Sequence, residues 1–211
     1  GMDVGIFYLD NLIPDWQLFN NGLPNVQVMD LDINYDIDLL YAGTYGRGLW
    51  HSGLHSNQLG GTYTVGDGQD FETLTDAINT YNNSCLSSNV VFELTDASYS
   101  SGEIFPITIH QHPSADVDKT LTIRPANGVN TNLFGGTPGG LINLSTARHV
   151  VIDGVNAAGT SLTITNDYSL DESAAINIVS EGADMGSEHI IIRNCILQGA
   201  SNTSPNAFGI F

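Results

Sequence analysis

His189-Ile190-Ile191-Ile192-Arg193-Asn194-Cys195 has three upstream counterparts in this chain. They are His149-Val150-Val151-Ile152-Asp153-Gly154-Val155, Thr120-Leu121-Thr122-Ile123-Arg124-Pro125-Ala126 and Asn89-Val90-Val91-Phe92-Glu93-Leu94. The four begin at positions 89, 120, 149 and 189, at intervals of 31, 29 and 40 residues. A second series lies between them: Ile107-Thr108-Ile109, Ile142-Asn143-Leu144, Ile176-Asn177-Ile178 and Phe208-Gly209-Ile210, at intervals of 35, 34 and 32 residues. Short β-branched strands recurring at this period between Gly, Asn, Asp and Ser turns predict a solenoid, each coil supplying about three strands. Each strand then pairs with its equivalent on the next coil, about 4.8 Å away.

Alternation along a strand sets the facing. Val90, Leu121, Val150 and Ile190 are expected to stack inward, as are Phe92, Ile123, Ile152 and Ile192. Glu93, Arg124, Asp153 and Arg193 then share one outward row in which charge alternates from rung to rung. The uneven intervals are assigned to loops. The fold class is all-β: a right-handed parallel β-helix, its hand taken from the rule for parallel connections, with an N-terminal capping helix and a small antiparallel segment before it.

Composition agrees. Charged residues make up only 13% while Gly reaches 23 residues, a turn-rich β profile, and a hydrophobic content of 41% supports a real core. The net charge of −18 should repel nucleic acid and anionic lipid, so neither is an expected partner. The mild reading of that charge is solubility outside the cell and the sharper one is calcium binding; beyond calcium, no cofactor is expected. No apolar run reaches the roughly 18 residues that a membrane span needs. Cys85 and Cys195 permit a disulfide. The register turns Cys195 inward, like Val155, and favours a buried free thiol. Gly1-Met2 reads as a tag remnant, no signal peptide is visible, and the chain stops inside a repeat at Phe211. The expectation is a piece of a longer parent whose other domains are partners.

In chain order, 4–8, 26–33, 39–44 and 48–50 read as short antiparallel strands, with turns at Asn20–Pro24, Asp36–Asp38 and Tyr45–Arg47. Trp16-Gln17-Leu18-Phe19-Asn20-Asn21-Gly22-Leu23-Pro24 and Leu40-Tyr41-Ala42-Gly43-Thr44-Tyr45-Gly46-Arg47-Gly48-Leu49-Trp50 resemble the last blade of a sialidase- or sortilin-type propeller. That version is common in large secreted proteins of Bacteroidota, many of them type nine secretion substrates. The Ser-x-Asp-x-Gly-x-Thr-Trp box of sialidase propellers is absent, and one blade closes no ring. The resemblance implies residues 1–56 as a blade-like segment, a linker at 57–61 and the β-helix at 62–211.

Gly66 to Ile78 predicts a helix entry, with Asp70 as N-cap, Glu72 in the first turn, and Phe71, Leu74, Ile78 and Tyr81 on one face. With the repeats, this stretch resembles the opening of pectinesterase- and pectate-lyase-like β-helix proteins, where a short helix lids the first coil. That family implies secretion, polysaccharide partners and, in its enzymes, lyase or glycosidase chemistry using an outward Arg as base or clustered Asp.

No motif of those enzymes is present here, so no residue set qualifies as a catalytic centre. The candidates are Arg124, Asp153 and Arg193; carboxylates beside an Arg hold its proton on and make it a poor base. For a metal, His110, His112 and Asp116 form the candidate set, the two imidazoles being placed on one strand face, while Pro113 and the polar run to Lys119 favour an exposed loop. His149 and His189 occupy equivalent strand entries, where stacked rings could bind a metal or sense pH. The reading preferred there is turn residues bonded to backbone. Asn143 and Asn177 are equivalent and outward, a side-chain amide stack. Asp30 to Asp36 mimics the start of a calcium loop, but Tyr35 and Tyr41 stand where Gly and an acid are needed, which favours a strand with an acidic outer face. The expected function is a non-catalytic scaffold that binds a glycan or surface, extracellular or on the cell surface. The alternative is a polysaccharide lyase or glycoside hydrolase of the same superfold.

Overall fold

The computed structural model describes residues 5–9, 15–19, 23–35, 37, 39–53, 58–157, 159–169, 172–183, 185–200 and 207–210. The chain divides into two compact units, Gly1–Asn57 and Gln58–Phe211.

In the first unit β1 (Phe7–Tyr8) pairs antiparallel with β2 (Gln17–Leu18). A meander follows: β3 (Val28–Asn34), β4 (Leu39–Thr44) and β5 (Gly48–Gly53). The turn from β4 to β5 needs Gly46 and Gly48 at φ +73° and +79°, a region that side chains disfavour. The Trp50 indole N–H donates to Arg47 O across it at 3.0 Å. Ile6, Val28 and Ala42 form a small core. The described strands make a three-stranded sheet and a separate two-stranded pair, not one four-stranded sheet.

The second unit is a parallel β-solenoid of about four turns. Its first sheet holds β6 (Gln58–Val65), β7 (Cys85–Leu94), β10 (Leu121–Pro125), β13 (Arg148–Asp153) and β16 (Glu188–Arg193). Its second holds β8 (Ser98–Tyr99), β11 (Asn130–Gly135), β14 (Ser161–Asn166) and β17 (Cys195–Gln198). Its third holds β9 (Ile107–His110), β12 (Gly139–Ser145), β15 (Ser173–Val179) and β18 (Ala207–Ile210). Residues 58–61, expected in a linker, are the start of β6 and pair with β7; Asn57 lies outside the described residues.

The register of the first sheet follows the repeats. Leu121 pairs with Val90 and Val150, Ile123 with Phe92 and Ile152, and Ile190 and Ile192 continue both columns. The first three members of each column are at most 1% exposed. Each such side chain contributes roughly 1.5–3 kcal/mol when removed from water. On the edge strand β16, Ile190 and Ile192 are only half-buried, while outward Ile191 is 48% exposed. In the third sheet Ile107, Ile142 and Ile176 align as read, but the next partner of Ile176 is Ile210, not Phe208. Both registers put the same alternate residues inward; the observed one keeps the 34-residue interval of the preceding rung. Asn143 aligns with Asn177 in the backbone register, but its Oδ1 is buried with no hydrogen-bond partner among the described residues.

The second sheet was not legible as a series. Its inward column is Tyr99, Leu133, Ile164 and Leu197. Corners are tight. β16 passes to β17 through Asn194 alone, at φ +57°. On the rung below, Gly154 is required there, since a Cβ would lie 1.9 Å from Asn194 O. Asn166 is fully buried and pins the corner between second and third sheets, donating to Thr137 O, Gly139 O and Ala174 O at 2.9–3.0 Å.

Helix α1 (Leu74–Asn83) places Leu74, Ile78 and Tyr81 in the solenoid core at one end of the stack. Its N-cap is Thr73, whose Oγ accepts from Asp76 N at 3.0 Å, rather than Asp70. The helix starts later because Glu103, reaching from the loop after β8, accepts from Leu74 N at 2.8 Å and Thr75 N at 2.7 Å. A carboxylate there satisfies orphan N–H groups and the positive helix end. Asp70 instead fastens the preceding loop by accepting from Thr64 N and Thr64 Oγ, each at 2.8 Å. Those bonds, the backbone one foremost, hold its carboxyl below the ordinary value. Phe71 precedes the helix and meets Phe92 edge-on at 5.6 Å.

The helix also seals the edge of β9. The Asn82 carboxamide donates to Thr108 O at 2.8 Å and accepts from His110 N at 3.2 Å. Those are the two bonds that a neighbouring strand would make, so one side chain closes part of an edge that would otherwise be open to pairing.

Two stability measurements test this arrangement. Ile152→Asp should cost several kcal/mol by burying an unpaired carboxylate, whereas Val151→Asp, on the outward face, should cost under about 1 kcal/mol. Equal losses in melting temperature would reverse the facing. Tyr81 is 0% exposed and its hydroxyl has no hydrogen-bond partner among the described residues. Burial accordingly pushes its pKa well up. Tyr81→Phe should leave stability unchanged or raise it by up to about 1 kcal/mol, because it removes a buried polar group that nothing satisfies.

Candidate functional site

The outward charged row sits at the ends of the first-sheet strands, as the repeats imply, but it is two closed pairs rather than a four-member ladder. Arg124 grips Glu93 Oε1 through Nη2 at 2.7 Å and Nε at 3.2 Å. Asn156 Nδ2 adds a third donor to the same oxygen at 3.3 Å. Arg193 Nε donates to Asp153 Oδ2 at 2.8 Å, while Asn194 Nδ2 and Val155 N donate to Oδ1 at 2.9 and 3.1 Å. Arg124 thus turns to the rung below and Asp153 to the rung above.

The row is less exposed than alternation implies. Asp153 is only 7% exposed, because the corner around Gly154 and Asn194 folds over its carboxylate. Burial there pushes the carboxyl pKa up, but the bonds from Asn194, Val155 and Arg193 together outweigh it and hold the pKa below the ordinary 3.8. A third pair joins Arg148 and Glu188 at 3.6 Å, too long for a hydrogen bond.

Any chemistry on this row would have to begin from groups that are already paired. Both arginines are already bonded to a carboxylate on an adjacent rung. Asp153 accepts at both carboxylate oxygens, whereas the three donors to Glu93 all fall on Oε1; among the described residues no cluster of acids joins them into the oxygen-rich set that calcium takes.

The histidine set comes apart. β9 ends at His110, which is exposed. Beyond the strand the alternation no longer holds, and His112 is 4% exposed beneath Tyr81, ring centroids 5.0 Å apart. His112 Nδ1 accepts from Ser114 N at 3.1 Å, so Nε2 carries the proton and donates to Ser84 O at 2.5 Å. Both ring nitrogens are committed to backbone. Asp116 is exposed in the following loop and accepts from Asp118 N. His110 and His112 therefore do not share a face. Among the described residues no three His, Cys, Asp or Glu side chains converge as a metal would require.

His149 and His189 do meet. Both sit at positive φ, +55° and +54°, and their rings stack 4.6 Å apart at 15°. Asp30 and Asp32 lie in the extended strand β3, which cannot wrap an ion as a calcium loop does; Asp36 and Asp38 lie outside the described residues. Cys195 is a free thiol half-buried at the start of β17, in line with inward Leu162. Burial pushes its pKa up to about 11, so it is a structural rather than a reactive cysteine. Val155 does not share its facing and is 40% exposed. The side chain of Cys85 lies outside the described residues.

Two features escaped sequence reading. One is an apolar cleft of about 190 Å³ in the first unit, lined by Ile6, Phe19, Leu23, Leu40, Ala42 and Trp50 among others. The other is the distribution of charge over the solenoid. Among its described strands, every Asp, Glu, Lys and Arg lies in the first sheet, and all six belong to the three pairs above. The second and third sheets carry none. Recognising the second-sheet strands would have exposed this pattern.

Asp153→Asn should destabilise the chain at neutral pH by about 1–3 kcal/mol, since it weakens charge-assisted bonds in a buried setting. The pKa of Asp153 is depressed on folding, so its stabilisation is present above the unfolded value and is lost as pH falls through the folded one. The stability gap between wild type and variant should therefore hold above about pH 4 and shrink below it. Denaturant titration across pH 2–7 reads the difference.

No protein-family model matches this chain, and searches of curated proteins and of solved structures find no match.

Proposed function

We propose that this chain is a non-catalytic scaffold and binding segment of a secreted or cell-surface bacterial protein, which holds a glycan or another surface against its solenoid. In this reading the solenoid is a pectin-lyase-like β-helix that keeps the architecture without the chemistry. The first unit is the blade-like segment that precedes it in a longer parent.

The observation that carries the proposal is the separation of charge from face. All six charged strand residues are consumed in three cross-rung pairs, which leaves two sheets of hydroxyl, amide and apolar groups on a hydrogen-bonded frame. Polar, uncharged and rigid is what repeated contact with hydroxyl-rich ligands needs, because little entropy is lost in ordering the site. The pairing of each of these arginines with a carboxylate argues against lyase or hydrolase chemistry on the same row.

The test is retention on immobilised plant, algal and bacterial polysaccharides, with product release followed in parallel by reducing ends and by absorbance of unsaturated uronates. Retention without turnover is expected, and Arg124→Ala and Arg193→Ala should leave it within about twofold, since both lie on the first sheet and not on the uncharged faces. Turnover lost in either variant while the fold survives would establish the enzyme instead.

A further inference from the structure

We infer that the second sheet binds a neutral, extended polysaccharide running along the solenoid axis, with Phe134 as its platform. This rests on the glycan-binding reading above and names its ligand class and site.

The outward positions of this sheet stack in register. Phe134 on β11 pairs with Thr165 on β14, and Thr165 pairs with Gln198 on β17. One residue pair back, Asn132, Thr163 and Ile196 form a parallel column. Across three successive rungs the face thus presents an aromatic ring, a hydroxyl and a carboxamide in line. Phe134 is 39% exposed, and its in-register neighbour Thr165 is small. Gln198 Oε1 accepts from Thr165 Oγ at 3.0 Å, which leaves the amide nitrogen to donate to a ligand oxygen.

Rungs repeat at about 4.8 Å, close to the length of one pyranose unit in an extended chain. A polysaccharide laid across the strands therefore meets an equivalent position at nearly every sugar. The apolar C–H face of a pyranose suits a phenyl ring, and its equatorial hydroxyls suit Thr and Gln. Charge selects among glycans. The chain carries −18, and each of the three arginines on solenoid strands is already paired with a carboxylate on an adjacent rung. Uronate or sulfated chains would meet net repulsion and no cation on this face.

The test is affinity electrophoresis of the full 211-residue chain. Gels contain neutral polysaccharides (mixed-linkage glucan, xylan, galactomannan) or anionic ones (polygalacturonate, alginate). Retardation by at least one neutral glycan and by neither anionic one is expected. Phe134→Ala should weaken retardation about tenfold, as for loss of one aromatic contact, and Phe134→Trp should restore it. Melting temperature checks that both variants fold. Retardation by anionic glycans alone would overturn this inference while leaving glycan binding intact. So would neutral binding that Phe134→Ala does not change. Failure to bind any glycan would overturn both.

Discussion

Everything in the solenoid depends on one constraint: each strand's backbone must find its partner on the adjacent rung, at the same height, three times per turn. Parallel pairing between equivalent segments satisfies the N–H and C=O groups of all three sheets, and it forces like residues into columns. Val90, Leu121 and Val150 are buried because they are stacked, not because each is apolar by itself. Side-chain chemistry is then used to set register and to close ends. The three cross-rung ion pairs do the first. The Asn82 carboxamide and the Glu103 carboxylate do the second, each replacing backbone partners that the stack cannot supply.

Legibility followed hydrophobicity. The first sheet was readable because its runs are β-branched and punctuated by Asn, Gly and Pro, and its register agrees with the repeats residue for residue. The second sheet was not, because Asn130-Thr131-Asn132 and Ser98-Tyr99 look like turn material when the partner rung is unknown. Their strand state is imposed by neighbours, where tertiary pairing overrides propensity. The offset at Phe208 has a related cause: alternation fixes the face but not which of two same-facing residues pairs. Asp70 and Thr73 are both acceptable caps, and only a carboxylate 29 residues beyond Leu74 decided between them.

The candidate site shows the same division. The row of Glu93, Arg124, Asp153 and Arg193 came from the repeats, but its pairing into twos depends on Asn156, Asn194 and Gly154, corner residues with no strand signal. His110 and His112 looked alike in spacing and ended in opposite settings, since alternation is informative only while the strand lasts. The uncharged faces were hidden because they are a property of a sheet, assembled from segments about thirty residues apart.

The alternating signs along the first sheet bear on how such an array can change length. If a single rung were deleted, Glu93 would be set against Asp153 and lose Arg124, or Arg193 would be set against Arg124 and lose Asp153. Deleting two neighbouring rungs restores opposite signs. Along these four rungs the charge pattern therefore favours a change of coil number by two over a change by one.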